Sequence, residues 1–199
     1  MSVDEINAII LNDLHEDAYE RQLAAPKRYK GKGLAEKMEN FVFLCPECGE
    51  VDTLKSSGDQ VTCTHCGLTF RYTEYGMLEG LPFSTMRELA RWQEEEVARA
   101  AENGAVYAAD YGTLAKVAKH EEIPVDSGPI RLTADSLTCG NTEIPLSDIA
   151  NMTMHGARAI VFSVPGAYYE LIPAEGFNTL KFEMLYSNYK NMSRVPVSV

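Results

Sequence analysis

The residues best placed to do chemistry are four cysteines in two pairs, Cys45-Pro-Glu-Cys48 and Cys63-Thr-His-Cys66, separated by the fourteen residues from Gly49 to Thr62. Two intervening residues let one tight turn aim both of its sulfurs at a single point. A short hairpin between the pairs can then bring the turns together, so that four thiolates close a tetrahedral Zn²⁺ site with bonds of about 2.3 Å. Gly49 and Gly67, each directly after the second cysteine of its pair, supply the backbone freedom that such turns use. Two disulfides are the alternative. The acidic start of the chain, with Asp4, Glu5, Asp13, Glu16 and Asp17, is unlike a secretory signal and favours the metal. A catalytic zinc keeps one position open for water, whereas four cysteines leave none, so the predicted ion is structural. Its predicted ligands are Cys45, Cys48, Cys63 and Cys66, with His65 a bystander.

No other constellation points to a reaction. There is no glycine-rich phosphate loop followed by Lys-Ser or Lys-Thr, and no Gly-x-Ser-x-Gly nucleophile elbow. Glu94-Glu95-Glu96 and Glu121-Glu122 read as solvated faces, and His120 and His155 are isolated. Cys139 alternates with Leu137 and reads as a small buried hydrophobe. No catalytic residue is predicted.

Composition limits the partners. Eighteen Lys plus Arg against twenty-nine Asp plus Glu give the 199 residues a net charge of −11, which repels nucleic acid and anionic lipid at long range. One basic segment, with Lys27, Arg28, Lys30, Lys32 and Lys37, could still make a local contact, although a solvated turn is the simpler reading. A hydrophobic share of 45% is ordinary for a packed protein, and no apolar run approaches the roughly 18 residues of a membrane span. The expected location is the cytoplasm, peripheral at most to the inner face of the membrane.

The elements that must hold these residues are legible in outline. Ser2-Val3-Asp4-Glu5 is a capping box for a helix reaching about Gln22, with Val3, Ile6, Ile10 and Leu14 on one side. A short helix with Leu34, Met38 and Phe41 follows and completes an N-terminal segment, 1–42. The ribbon spans 43–80, with Val51, Leu54, Val61 and Phe70 in strands and Ser57-Gly58-Asp59 as the turn. Thr85-Met86-Arg87-Glu88 caps a connecting helix within 81–106, stopped by Asn103-Gly104. In 107–192 short strands are predicted at 113–119, 129–133, 137–139, 142–145, 149–155, 159–163 and 168–172. A helix over 177–190 follows, with Phe182, Leu185, Tyr186 and Tyr189 on one face. Antiparallel strands closed by one amphipathic helix resemble a pleckstrin-homology-like (PH-like) or GRAM-like module. The predicted class is α+β: N-terminal helices, a four-cysteine zinc ribbon, then a small antiparallel β-domain closed by a C-terminal helix.

A wider resemblance rests on scattered short matches. Glu16-Asp17-Ala18-Tyr19-Glu20-Arg21-Gln22, Tyr29-Lys30-Gly31-Lys32, Ala35-Glu36 and Leu44-Cys45-Pro46-Glu47-Cys48 resemble the region after the catalytic domain of bacterial lysophospholipid acyltransferases, which are similar to 1-acyl-glycerol-3-phosphate acyltransferases. Tyr72-Thr73-Glu74-Tyr75-Gly76, Trp92-Gln93, Pro145-Leu146-Ser147-Asp148-Ile149 and Tyr168-Tyr169-Glu170-Leu171 continue it. The resemblance implies an accessory region, acting with an acyltransferase catalytic domain in cis or trans. A membrane surface reached through Lys27, Arg28, Lys30, Lys32 and Lys37 is a further partner, and nucleic acid is disfavoured. The family's His-x4-Asp motif is missing, since Glu20, Phe70, Val125 and Ile160 stand five residues after the four histidines. The implied function is therefore non-catalytic, with a lipid- or protein-interacting β-domain. The alternative is a zinc-ribbon adaptor for nucleic acid or protein. Replacing Cys48 by Ser is expected to melt the ribbon while the β-domain survives.

Overall fold

The computed structural model describes residues 2–14 (side chains through 11), 17–119, 121–174 and 178–192. The side chain of Leu14, and Glu16, His15, His120 and Phe177, lie outside the described set. Helix α1 (Val3–Leu14) opens with the expected capping box: Ser2 Oγ accepts from the Glu5 N–H at 3.2 Å, and Glu5 Oε2 accepts from the Ser2 N–H at 2.6 Å. It does not run on to Gln22. Asp17 caps a separate helix α2 (Ala18–Ala24) by accepting from the amides of Tyr19 and Glu20. Val3, Ile6 and Ile10 are exposed, because helical spacing tells which residues share a face and not whether anything packs on it.

The segment after α2 crosses the ribbon as an extended strap. Gln22 holds Lys27 at both its N–H and its carbonyl, Tyr29 donates to the Glu74 carbonyl at 2.8 Å, and Ala35 donates to the Gly58 carbonyl at 3.0 Å. In place of the expected short helix there is a single 3-10 turn, Met38–Asn40. Met38 is buried as predicted, but Phe41 is exposed and Ala35, Val42 and Phe43 take the interior places.

The ribbon is a four-stranded antiparallel sheet in the order β1 (Leu54–Ser57), β2 (Gln60–Cys63), β3 (Thr69–Tyr72), β4 (Leu78–Glu79). Gly58-Asp59 makes the tight turn between the first two strands. Leu54, Val61, Phe70 and Leu78 alternate inward and bury against Leu89. Leu89 belongs to α3 (Met86–Glu102), whose Thr85–Glu88 capping box and Asn103 terminus match the sequence reading.

The remaining strands form one seven-stranded antiparallel sheet in the order β8-β7-β6-β5-β11-β10-β9. The elements are β5 (Tyr107–Ala118), β6 (Glu121–Leu132), β7 (Ser136–Cys139), β8 (Thr142–Pro145), β9 (Ala150–His155), β10 (Ala159–Val164) and β11 (Ala167–Pro173). The first strand therefore lies beside the last. Two predicted details are corrected. Strand β5 starts at Tyr107, earlier than expected, and Asp126-Ser127-Gly128 is no turn between strands but a paired stretch of β6, in register with Leu114, Thr113 and Gly112 and flanked by two register shifts.

Asp126 ties this stretch to the loop between β7 and β8. Its carboxylate accepts from the Thr142 hydroxyl and from the amides of Ser127 and Asn141, which hold it below the usual carboxylate range. Gly128 meets Gly140 face to face there, and a Cβ on Gly128 would lie 2.8 Å from the Gly140 Cα. Turn-forming residue types thus sit inside a strand instead of ending it.

Helix α4 (Thr179–Met192) lies against the sheet, burying Phe182, Leu185, Tyr186 and Tyr189 as their spacing predicts. The Tyr186 hydroxyl donates to the Ile149 carbonyl at 3.1 Å. On β11, Tyr169 stacks on the buried Phe162 while its neighbour Tyr168 points outward.

The two sheets share residues. Phe43 and Leu44, which lead into the first cysteine pair, sit in the same apolar cluster as Tyr107, Leu114, Ile130 and Phe182, and Trp92 packs on both clusters. Gln93 of α3 is buried; its Oε1 accepts from the amides of Phe43 at 2.9 Å and Leu44 at 3.2 Å, and its Nε2 donates to the Phe41 carbonyl at 3.1 Å. Buried Lys181 of α4 pairs with Asp52 of the ribbon and donates to the Ala108 carbonyl at 2.7 Å. These joints argue against a ribbon that melts alone. Gln93→Ala strands two buried amides, and should cost about 2–4 kcal/mol while keeping a single thermal transition for ribbon and β-domain, as read by near- and far-ultraviolet circular dichroism.

Candidate metal centre

The two cysteine turns are built alike. In the first, the Cys45 N–H donates to the Glu50 carbonyl at 3.0 Å and the Gly49 N–H to the Cys45 carbonyl at 2.9 Å. In the second, the Cys63 N–H donates to the Leu68 carbonyl at 2.8 Å and the Gly67 N–H to the Cys63 carbonyl at 3.0 Å. Each turn closes through a left-handed glycine, Gly49 at φ 73° and Gly67 at φ 80°. Nothing lies within 4 Å of a Cβ placed on either, so backbone conformation and not space calls for glycine. The bridge from Leu44 to Val51 and the β1–β2 hairpin set the turns opposite each other.

All four sulfurs lie within 4.8 Å of one another. Cys45 Sγ is 3.7 Å from Cys66 Sγ, and Cys48 Sγ is 3.8 Å from Cys63 Sγ. A tetrahedron of sulfurs around an ion at about 2.3 Å has edges of about 3.8 Å. The separations are far beyond a disulfide bond, and the cysteines are free thiols. The structure thus brings together the residues named from sequence, spaced so that one ion fits among them. The fifth, Cys139, is buried in the β-domain with its thiol on the Gly112 carbonyl at 3.6 Å.

Backbone amides reach each of these sulfurs and favour charge on them. Cys45 is reached by the amides of Glu47 and Cys48, and Cys63 by those of His65 and Cys66, the same two offsets in each turn. Cys48 receives the Glu50 amide and Cys66 that of Leu68, again at matching offsets. Burial pushes the Cys45 thiol up to about 12. At Cys63 burial also raises the value, but the Thr53 hydroxyl at 3.2 Å and the two amides outweigh it and bring the thiol to about 6. His65 is exposed and held above its ordinary value, chiefly by a hydrogen bond to Cys48. Sequence reasoning missed Thr53, because a lone threonine in a loop carries no signal of where its hydroxyl points.

The basic segment does not form one convergent patch. All five cations are exposed, but Arg28 is engaged by Glu74, with Nη2 to Oε1 at 2.8 Å. Lys37 is carried away from the others to the junction of ribbon and β-domain. Among the described residues no helix is long and apolar enough to cross a membrane.

No family model matches the chain, and no curated protein matches it. Among solved structures it is similar to the N-terminal PH domain of the human ARAP2 protein, at 14% identity and a TM-score of 0.35, covering 47% of this chain and 87% of that one. A likeness this distant carries no weight of its own. The observed class is a mixed α and β chain: a four-cysteine ribbon joined to an antiparallel sheet packed by a C-terminal helix.

Because ligating sulfur is thiolate, protons compete with metal, and the sign follows from the values above. Cys45 enters as a thiol and must lose its proton on binding, whereas Cys63 is already ionised at neutral pH. Calorimetric titration of the metal-free protein with Zn²⁺ in buffers of different ionisation heat should show net release of fewer than four protons at pH 7.5. Affinity should fall steeply as pH drops through about 6, where Cys63 also protonates.

Proposed function

We propose that this chain is a non-catalytic binding module in which Cys45, Cys48, Cys63 and Cys66 hold a structural Zn²⁺. The observation that carries the reading is the convergence of four sulfurs within 4.8 Å of one another, with two separations, 3.7 and 3.8 Å, that match the edge of a tetrahedral site. Zinc is favoured over other ions because four thiolates in a tetrahedral set suit it, with iron the principal competitor. When bound, it would cross-link two turns; with every position taken by sulfur, it offers a substrate no site.

The β-domain is read as PH- or GRAM-like. Its support is the strand order, four strands and then three with the first beside the last, and the helix that follows. The role inferred for it is docking to a lipid headgroup or a protein surface. The acyltransferase context rests on the short sequence matches alone; within the fold, the matched residues Asp17, Glu74 and Gln93 cap α2, pair with Arg28 and join the sheets. On this reading the chain is an accessory region of a phospholipid-synthesis acyltransferase-like protein.

Cys48→Ser should lower zinc affinity by at least an order of magnitude, and because the cores are shared, chelation should lower the melting temperature of the whole chain. Zinc per chain by mass spectrometry, with circular dichroism before and after chelator, reads both. Reversing Lys27, Arg28, Lys30 and Lys32 should reduce sedimentation with phosphatidylserine-containing liposomes. Salt-sensitive binding to oligonucleotides, abolished by the same reversal, would replace this reading with a nucleic-acid adaptor.

A further inference from the structure

We propose that the cleft between the ribbon and the β-domain is a binding site for an organic phosphomonoester. The cavity holds about 480 Å³, within the range of small-molecule sites, and both modules line it. Lys37 comes from the strap, Lys55 from β1 and Arg158 from the β9–β10 turn, three cationic residues from three separate elements lining one concavity of a chain with net charge −11. Val42 and Leu54 contribute an apolar floor.

Of the acids in the same wall, Asp52 is paired with buried Lys181, while Glu39 accepts from the Ser56 hydroxyl, which does not offset its charge. Among the described residues neither Lys37 nor Lys55 has a carboxylate partner, and Arg158 has only a 3.5 Å contact to the exposed Glu122. With Asp52 offset by Lys181, three cations face one remaining carboxylate in the wall, and this net positive charge beside apolar residues suits a phosphate attached to an apolar body.

Backbone conformation singles out the same place. Four non-glycine residues among those described have positive φ, and two of them, Lys37 at 64° and Asp52 at 61°, line this cavity. A lysine at a position that glycine adopts more readily is retained there at a cost in stability, and the Lys37 N–H is fixed by Ser56 Oγ at 2.8 Å. That cost is explicable if the ammonium is needed where the backbone puts it.

Phenyl phosphate, titrated into the zinc-loaded full chain and followed by calorimetry and amide chemical shifts, tests the site, with phenol as the uncharged control. Saturable binding centred on Lys37, Lys55 and Arg158, salt-sensitive and absent for phenol, is expected. Lys37→Gly separates function from structure, because it relaxes the backbone while removing the cation. It should leave the melting temperature unchanged or raised yet weaken binding about tenfold, as should Lys55→Glu. Lys116→Glu, exposed on β5 and outside the cleft, should leave affinity within about twofold. No saturable binding, or an equal loss from Lys116→Glu, would overturn the proposal. Phosphatidylcholine vesicles doped with phosphatidic acid distinguish the source. Sedimentation that Lys55→Glu abolishes assigns a lipid headgroup, and phenyl phosphate binding without sedimentation assigns a soluble ester.

Discussion

Four sulfurs within 4.8 Å of one another are a liability unless something positive sits among them. As thiolates they repel, and as thiols they gain little from being close. The ribbon nevertheless aims six backbone amides and the Thr53 hydroxyl at them, donors that favour negative charge and suit a cation held among the sulfurs. The rest of the N-terminal half depends on this point. Strands β1 to β4 are two to four residues long and bury one short row of side chains, too little to stand alone.

The ribbon is tied into a larger body by polar joints at buried positions. Gln93 satisfies the amides of the residues that lead into Cys45, and Lys181 places a buried cation on Asp52 just after the first cysteine turn. Both side chains would be strongly destabilising if buried without partners. Each therefore specifies one orientation of ribbon against sheet as well as contributing to stability. The same orientation creates the cleft that Lys37, Lys55 and Arg158 line, so the geometry of that cleft is downstream of the sulfur cluster.

The cysteine ligand set was legible because metal geometry imposes a spacing that survives in one dimension. The capping boxes of α1 and α3 and the buried face of α4 were legible for a similar reason, each being a local pattern with one structural meaning. What failed was read from residue types whose meaning depends on distant partners. Asp126-Ser127-Gly128 looks like a turn until the β7–β8 hairpin, with Gly140 and Thr142, is laid against it. The apolar stripe of α1 looks like a core face, yet no body covers Val3, Ile6 and Ile10 among the described residues. Gln93 and Lys181 carry no signal at all, since a polar residue on a helix is ordinarily a solvated one. Without those two joints the ribbon reads as separate from the β-domain.

The central claim is that four sulfurs saturate one ion. X-ray absorption at the zinc edge of untagged protein, purified without added metal, measures it directly. The account predicts a single shell of four sulfurs at about 2.3 Å and no lighter scatterer. A shell containing oxygen or nitrogen would contradict it by showing an open or exchanged position, and so would metal-free protein that keeps the ribbon folded.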